Sequence, residues 1–84
     1  MKLYALIHIY HGGLIEGGVQ LSISTNRADM EDEMYRQLDK TWGMMDQDYH
    51  HSEYAEALGY AYIGHYDGMS PEPIYDHEWR IIAL

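Results

Sequence analysis

Histidines and carboxylates are the side chains of this sequence that could bind a metal ion. The 84 residues include six histidines and no cysteine, which excludes thiolate metal sites, disulfides and a cysteine nucleophile. The densest group of ligand-type side chains lies in residues 46–53, but it fits none of the structural zinc spacings, and neither HExxH nor an EF-hand loop is present. We therefore predict no metal ligand and no cofactor, with a small metal-binding protein as a less favoured alternative. The group consists of Asp46, Asp48, His50, His51 and Glu53.

No arrangement of residues in the sequence identifies a reaction. Serine, histidine and aspartate all occur, but the GxSxG motif is absent. The glycine-rich segment HGGLIEGG at residues 11–18 lacks both the lysine and the Ser/Thr of a phosphate-binding loop, and it does not match GxGxxG. We predict no catalytic residue and a non-enzymatic protein, with a small enzyme as the less favoured alternative.

Negative charge is the most pronounced property of the composition. The formal net charge is −9, from 14 acidic residues and 5 lysines and arginines. This balance opposes direct binding to nucleic acid, which needs clustered cations, and it favours a protein partner with a basic surface.

The acids concentrate between residues 29 and 56, where the sequence predicts helix. One interpretation is a solvated face that keeps a small protein soluble. The other is a binding surface, in which carboxylates attract a basic partner and nearby aromatic side chains anchor it. On the second interpretation the partner-binding residues are Glu31, Asp32, Tyr35, Asp39, Trp42, Asp46, Asp48 and Tyr49.

Tyrosine dominates the aromatic residues, with nine tyrosines, two tryptophans and no phenylalanine. Tyrosine suits a face that is half-buried or that meets a partner. A sheet covered on one side only would expose such a face, unless residues 44–58 or 67–73 fold over it. The sequence therefore predicts, as an alternative function, a homodimeric module whose contact face is formed by Tyr4, His8, Tyr10, Tyr60 and Tyr62.

Two alternating segments at residues 2–11 and 19–24 predict a β-hairpin. A two-residue turn at Gly12-Gly13 would set the apolar faces out of phase. A glycine bulge at Gly17-Gly18 would restore phase and pair Ile7 with Val19, and a single wide loop over 12–18 is the alternative. The apolar face is expected to point inward, towards a helix; it comprises Leu3, Ala5, Ile7, Ile9, Val19, Leu21 and Ile23.

The remaining segments predict an α+β fold. Asn26 is a suitable N-cap for a helix with an apolar stripe at Met30, Met34, Leu38, Trp42 and Met45, which Gly43 ends or kinks. A short second helix is expected at 53–58, and strands are expected at 60–66 and over much of 74–84.

The expected architecture is a single domain, residues 1–84. It has one antiparallel sheet of about four strands, in the order β-β-α-(α)-β-β, with helix packed on one face. The sequence shows neither a signal peptide nor a membrane span, so a cytoplasmic location is expected.

The segments MKLYALIHIY and EWRIIAL flank a glycine-rich turn, a second strand and a capped acidic helix. In this order, size and charge the chain resembles small acidic accessory proteins of phages and mobile elements, including anti-CRISPR inhibitors. The resemblance covers most of the chain but transfers no individual site residue. It implies a non-enzymatic protein that inhibits or modulates a host macromolecule, such as a nucleic-acid-binding protein, by occupying its basic surface.

Overall fold

Within residues 2–11 and 18–84, which the computed structural model describes, the chain forms one α-helix and five strands. All neighbouring strands are antiparallel, in the order β2-β1-β5-β4-β3. The α+β prediction is confirmed, with five strands rather than about four. The elements are β1 (Tyr4–Tyr10), β2 (Gly18–Ser24), α1 (Arg27–Trp42), β3 (His50–Ala55), a 3₁₀ turn (Glu56–Leu58), β4 (Tyr60–His65) and β5 (Ile74–Ala83).

Local sequence signals determine the helix as predicted. The Asn26 side chain accepts a hydrogen bond of 2.9 Å from the Ala28 N–H and so caps the first turn. Met30, Met34 and Leu38 are buried against the sheet, while Trp42 and Met45 pack at the margin of the same core. Within the described residues, no helix has the length and apolar character needed to cross a membrane.

The helix covers the opposite side of the β1–β2 hairpin from the predicted one. Leu6 is buried in the core beneath α1, whereas Leu21 and Ile23 are 59% and 55% exposed on the other side. The inward assignment of the Leu3–Ile9 face is therefore wrong. The core side is determined by β4 and β5, which place Ile63 and Trp79 under the helix, and Leu6 is the β1 residue that continues this layer.

The observed hairpin register keeps the apolar faces in phase, but not by the predicted bulge. Ile7 pairs with Leu21, not with Val19, so the bulge register is wrong. Tyr10 pairs with Gly18, so β2 begins at the last residue of the predicted wide loop. The predicted turn glycines Gly12, Gly13 and Gly17 lie outside the described residues.

The predicted second helix is also wrong, because residues 50–55 form edge strand β3. β3 pairs with β4 from His50 opposite His65 to Ala55 opposite Tyr60. Only the 3₁₀ turn Glu56–Leu58 is helical, and Gly59 ends it with a left-handed φ of 62°. Hydrogen bonding to a neighbouring strand here outweighs the local helix preference of a short segment.

A β-bulge interrupts the pairing of β4 with β5. Ile63 pairs with His77 but Gly64 pairs with Tyr75, so Asp76 is an extra residue without a partner on β4. A Cβ atom on Gly64 would lie 2.6 Å from the Ile74 carbonyl oxygen, so the close approach at the bulge requires glycine. The bulge places the Asp76 carboxylate beside His65.

A buried aromatic stack lies at the centre of the sheet. The Trp79 ring is completely buried, its Nε1–H donates to Gln37 Oε1 of α1 at 3.0 Å, and His8 stacks on it with 4.3 Å between centroids. His8 Nε2 and His77 Nδ1 are hydrogen-bonded at 3.0 Å. Burial lowers the pKa of His8, and the neighbouring His77 lowers it further, while a hydrogen bond with Gln20 opposes the shift.

Replacing Gly64 with alanine should destabilise the protein by about 1–3 kcal/mol, because the new methyl group meets backbone that cannot move aside. Gly43→Ala is the matched control. Gly43 has right-handed helical geometry with ordinary contacts, so alanine there should be neutral or stabilising by up to about 1 kcal/mol. Urea unfolding of both variants measures this, and equal stabilities would contradict the role given to the bulge.

His8→Phe should flatten the pH dependence of stability between pH 7.5 and 5.5. The lowered pKa means that folded His8 resists protonation, whereas the unfolded chain takes up a proton near the usual value of 6.5. The stability that neutral His8 contributes to the fold is therefore present above pH 6.5, and it is lost as the pH falls towards the lower pKa of the folded state. Phenylalanine keeps a ring against Trp79 but cannot titrate. Parallel slopes for the two proteins in urea unfolding would contradict this prediction.

Candidate functional site

An acidic cleft lies between α1 and the edge strand β3. Its volume is about 560 Å³, and we use the name acidic cleft for the depression lined by Asp32, Tyr35, Arg36, Tyr54 and Glu56. Asp32 and Tyr35 lie three residues apart on α1 and therefore share one side of the helix. Tyr54 is the penultimate residue of β3, and Glu56 begins the 3₁₀ turn that follows this strand.

Like charges are crowded at this cleft. The pKa of Glu56 is raised, first by the hydrogen bond that it shares with the Glu31 carboxyl group and then by the charges of Glu31 and Asp32. Arg27 pairs with Glu31 at 3.0 Å. Across the described residues, no cationic nitrogen lies within 4 Å of the carboxylates of Asp32 or Glu56. The cleft consequently carries unneutralised negative charge.

Aromatic side chains border this charge. Tyr35 is half-exposed and meets Tyr54 edge-to-face, with ring centroids 5.5 Å apart. Burial raises the pKa of Tyr54, and the nearby Glu56 raises it further. One turn further along α1, Asp39 and Trp42 line a smaller depression that also includes Tyr35 and Tyr54. Four of the predicted partner-binding residues, Asp32, Tyr35, Asp39 and Trp42, thus lie along one side of the helix.

Asp46, Asp48 and Tyr49 were also predicted to bind the partner, but they lie outside the cleft. Asp46 and Asp48 belong to the turn after α1, where Asp46 Oδ1 accepts a hydrogen bond from the Asp48 N–H at 3.0 Å. The Asp46 carbonyl oxygen accepts the N–H groups of Tyr49 and His50. Tyr49 then stacks on His65, with 4.9 Å between centroids. This end of the predicted site is separated from the cleft and adjoins a group of histidines.

Three strands bring His50, His65 and Asp76 together, and we call this group the histidine cluster. Asp76 Oδ2 lies 2.7 Å from His65 Nδ1 and 3.6 Å from His50 Nε2. All three ligand-type atoms lie within 4.8 Å of one another. The cluster lies on the helix-facing side of the sheet, because His65 follows the buried Ile63 by two residues.

The cluster differs from the local group of ligand-type residues in the sequence. His51 and Glu53 point to the other side of β3, where His51 stacks on Tyr66 with 4.9 Å between centroids. His65 and Asp76 were not among the candidates, since both are distant from residue 50 along the chain. Residues 50–55 show no polar–apolar alternation in the sequence, so the pairing of His50 with His65 has no local signal.

The five residues predicted as one dimer face are divided between the two sides of the sheet. Tyr4, His8 and Tyr10 share the helix-facing side with Leu6, whereas Tyr60 and Tyr62 lie on the uncovered side. The division follows from the strand registers: His8 pairs with Trp79, whereas Tyr60 and Tyr62 pair with the neighbouring β5 residues that point to the opposite side. We call the uncovered side the open face; its apolar part consists of Leu3, Ala5, Ile7, Leu21, Ile23 and Ile82.

Comparisons with known proteins identify no relative of this chain. No protein-family model matches the sequence, and searches of curated proteins and of solved structures found no significant match.

Proposed function

We propose that this is a small, non-enzymatic binding protein that inhibits or modulates a host macromolecule by occupying a basic surface, with the acidic cleft as its contact site. One observation carries the proposal: Glu31, Asp32 and Glu56 converge beside two tyrosines with too few cations to balance them. Such an arrangement is costly for the free protein and is relieved by a cationic ligand.

Arginine is the side chain that this cleft suits best. Its guanidinium group can stack on the half-exposed Tyr35 ring while a carboxylate accepts two of its N–H groups. The net charge of −9 would steer a basic partner towards the protein before contact. A protein surface that normally binds phosphates also presents arginine side chains and positive charge. This favours a nucleic-acid-binding protein as the partner.

The acidic residues do not contribute equally to the proposal. Glu33 is paired with Arg36 and hydrogen-bonded by Gln37, and Asp46 stabilises its own turn. We assign direct contact to Asp32, Tyr35 and Glu56, with Asp39 at the margin. Asp48 contributes only to the overall charge.

Reversing the cleft charges with Asp32→Lys and Glu56→Lys should weaken binding of a fluorescein-labelled arginine-rich peptide by at least about tenfold, since each charge-assisted contact contributes about 1.5–3 kcal/mol. Fluorescence anisotropy at 50 and 300 mM NaCl measures the affinity. The loss should be larger at low salt, where Coulombic attraction is least screened.

The matched control is Asp48→Lys with Glu72→Lys, two exposed acids outside the cleft that produce the same change in net charge. This pair should weaken binding far less than the cleft pair. Equal losses for both pairs would show that only the total charge matters and would contradict the cleft as the contact site.

A second candidate function is homodimerisation through the open face. Ile23, the buried Ala5 and Ile82 form one apolar row across β2, β1 and β5, and Leu21 and Ile7 begin the next row, which ends at Arg80. None of the five apolar residues is charged, so two copies of an acidic chain could approach here with little like-charge contact. An exposed apolar face of this kind is typical of an interaction surface, and the uncharged row favours a second copy as its occupant.

Analytical ultracentrifugation tests the second candidate. Wild-type protein should sediment as a dimer at high concentration, and Ile23→Lys should shift it to monomer because the lysine places a charge at the centre of the apolar row. Met44→Lys is the matched control, since Met44 is exposed on the helix side and should leave the dimer intact. Wild-type protein that stays monomeric would exclude this candidate.

A further inference from the structure

We propose that the histidine cluster is a zinc-binding site in which His50 Nε2, His65 Nδ1 and a carboxylate oxygen of Asp76 are the ligands. The proposal concerns a different surface from the acidic cleft and does not depend on the function proposed above. It rests on the positions of three side chains, on the hydrogen bond that orients one of them, and on the bulge that supplies the carboxylate.

The spacing of the three atoms suits a single small cation. Ligands bound to zinc at 2.0–2.1 Å in tetrahedral geometry lie about 3.3 Å apart. The Asp76 oxygen lies 2.7 Å from one imidazole nitrogen and 3.6 Å from the other. The two imidazole nitrogens lie within 4.8 Å of each other, so side-chain torsions must bring them up to about 1.5 Å closer for all three atoms to bind one ion.

His50 is already oriented as a metal ligand. Its Nδ1 lies 2.9 Å from the Asp46 carbonyl oxygen, and because a carbonyl only accepts, Nδ1 must donate its hydrogen. In the neutral ring, Nε2 then carries a lone pair directed towards the cluster. A hydrogen bond from the second ring nitrogen to a backbone carbonyl is the usual support for a metal-bound histidine.

Without a metal ion, two hydrogen-bond acceptors face each other in the cluster. The neutral Nε2 of His50 and Oδ2 of Asp76 are both acceptors, and they face each other at 3.6 Å. A zinc ion bound between them would remove this repulsion. For zinc to bind His65 Nδ1, the hydrogen that this nitrogen donates to Asp76 must leave it, and the neutral ring then carries its hydrogen on Nε2.

Burial and neighbouring rings favour a bound ion without closing the site. The side chains of His50, His65 and Asp76 are 15%, 17% and 23% exposed. Tyr49 stacks on His65 and meets the edge of His50 at 5.0 Å between centroids. The Tyr49 ring lowers the local dielectric and so strengthens metal binding. The remaining exposure leaves the fourth coordination position open to water or to a group from a partner.

The donor set selects the class of metal. Two imidazoles and one carboxylate, with no thiolate, suit zinc and its neighbours cobalt, nickel and copper. Calcium and magnesium prefer oxygen ligands and should compete poorly. Three protein ligands with one open position are typical of zinc sites that bind a further molecule.

The bulge at Gly64 aligns Asp76 with the two histidines. In a regular strand, Asp76 would point to the side opposite His77, away from the cluster. The Asp76 carbonyl oxygen also accepts the His11 N–H at 2.9 Å, which fixes the backbone of the extra residue. This hydrogen bond and the β-bulge together fix the position of the Asp76 backbone, from which the carboxylate extends towards the histidines.

Isothermal titration of tag-free, EDTA-treated protein with zinc chloride tests the proposal. Wild-type protein should bind one zinc ion per chain, and cobalt(II) should give the visible absorption of a four-coordinate complex. His50→Gln and Asp76→Asn should each weaken zinc binding by at least about tenfold. Because Asp76→Asn preserves size and hydrogen bonding, it keeps the test interpretable if His50→Gln disturbs the fold, which circular dichroism reports.

His51→Gln is the matched control, as it removes the adjacent histidine from the other side of the same strand. It should bind zinc as tightly as wild type, and zinc should raise the melting temperature of both proteins but not of the two ligand variants. The absence of saturable binding to wild type would overturn the proposal. Equal weakening by His51→Gln would also overturn it, since the binding would then be to scattered surface histidines.

Discussion

The structure depends on β5 pairing on both of its edges. This strand lies between β1 and β4 and so joins two hairpins that are separate along the chain. A two-stranded hairpin is only marginally stable by itself, and a sheet of several strands needs a covered face. Trp79 of β5 supplies the middle of that face: it contacts His8 of β1, and its indole N–H bonds to Gln37 of the helix.

The two surfaces of interest both follow from this arrangement. With β5 in the centre, β3 becomes an edge strand, and its distance from the middle of the sheet leaves room for a cleft beside α1. The same strand order brings β3, β4 and β5 side by side, so that one residue of each can meet in the histidine cluster. The cleft concentrates negative charge, whereas the cluster combines one carboxylate with two imidazoles.

The sequence predicted those features that depend on neighbours within a few residues. The Asn26 cap and the stripe from Met30 to Leu38 are local, and both are confirmed. The α+β class followed from the succession of such segments. Two of the wrong predictions depend on residues that are distant along the chain. The side of the hairpin that is covered depends on Trp79 and Ile63, and the conversion of residues 50–55 to strand depends on β4.

The candidate site was predictable to a similar extent. Asp32, Tyr35 and Asp39 were identified from their types on one helix, but Glu56 joins them only because the chain returns past α1 after β3. The histidine cluster was not predictable from spacing, because a bulge shifts Asp76 out of the regular alternation. The requirement for glycine at position 64 arises from the strand opposite, β5, so it gives little information about the cluster until that strand is known.

The central position of β5 also has a kinetic consequence. Its pairing with β1 joins Tyr4 to Ala83, nearly the full length of the chain, and contacts of such large sequence separation slow the search for the native state. The helix and the β3–β4 hairpin can form early, but the sheet closes only when the last strand inserts between its neighbours. Until then the apolar layer that Trp79 completes remains exposed to water, and Asp76 is not yet beside the two imidazoles. Folding and the assembly of the cluster are therefore completed in the same late step.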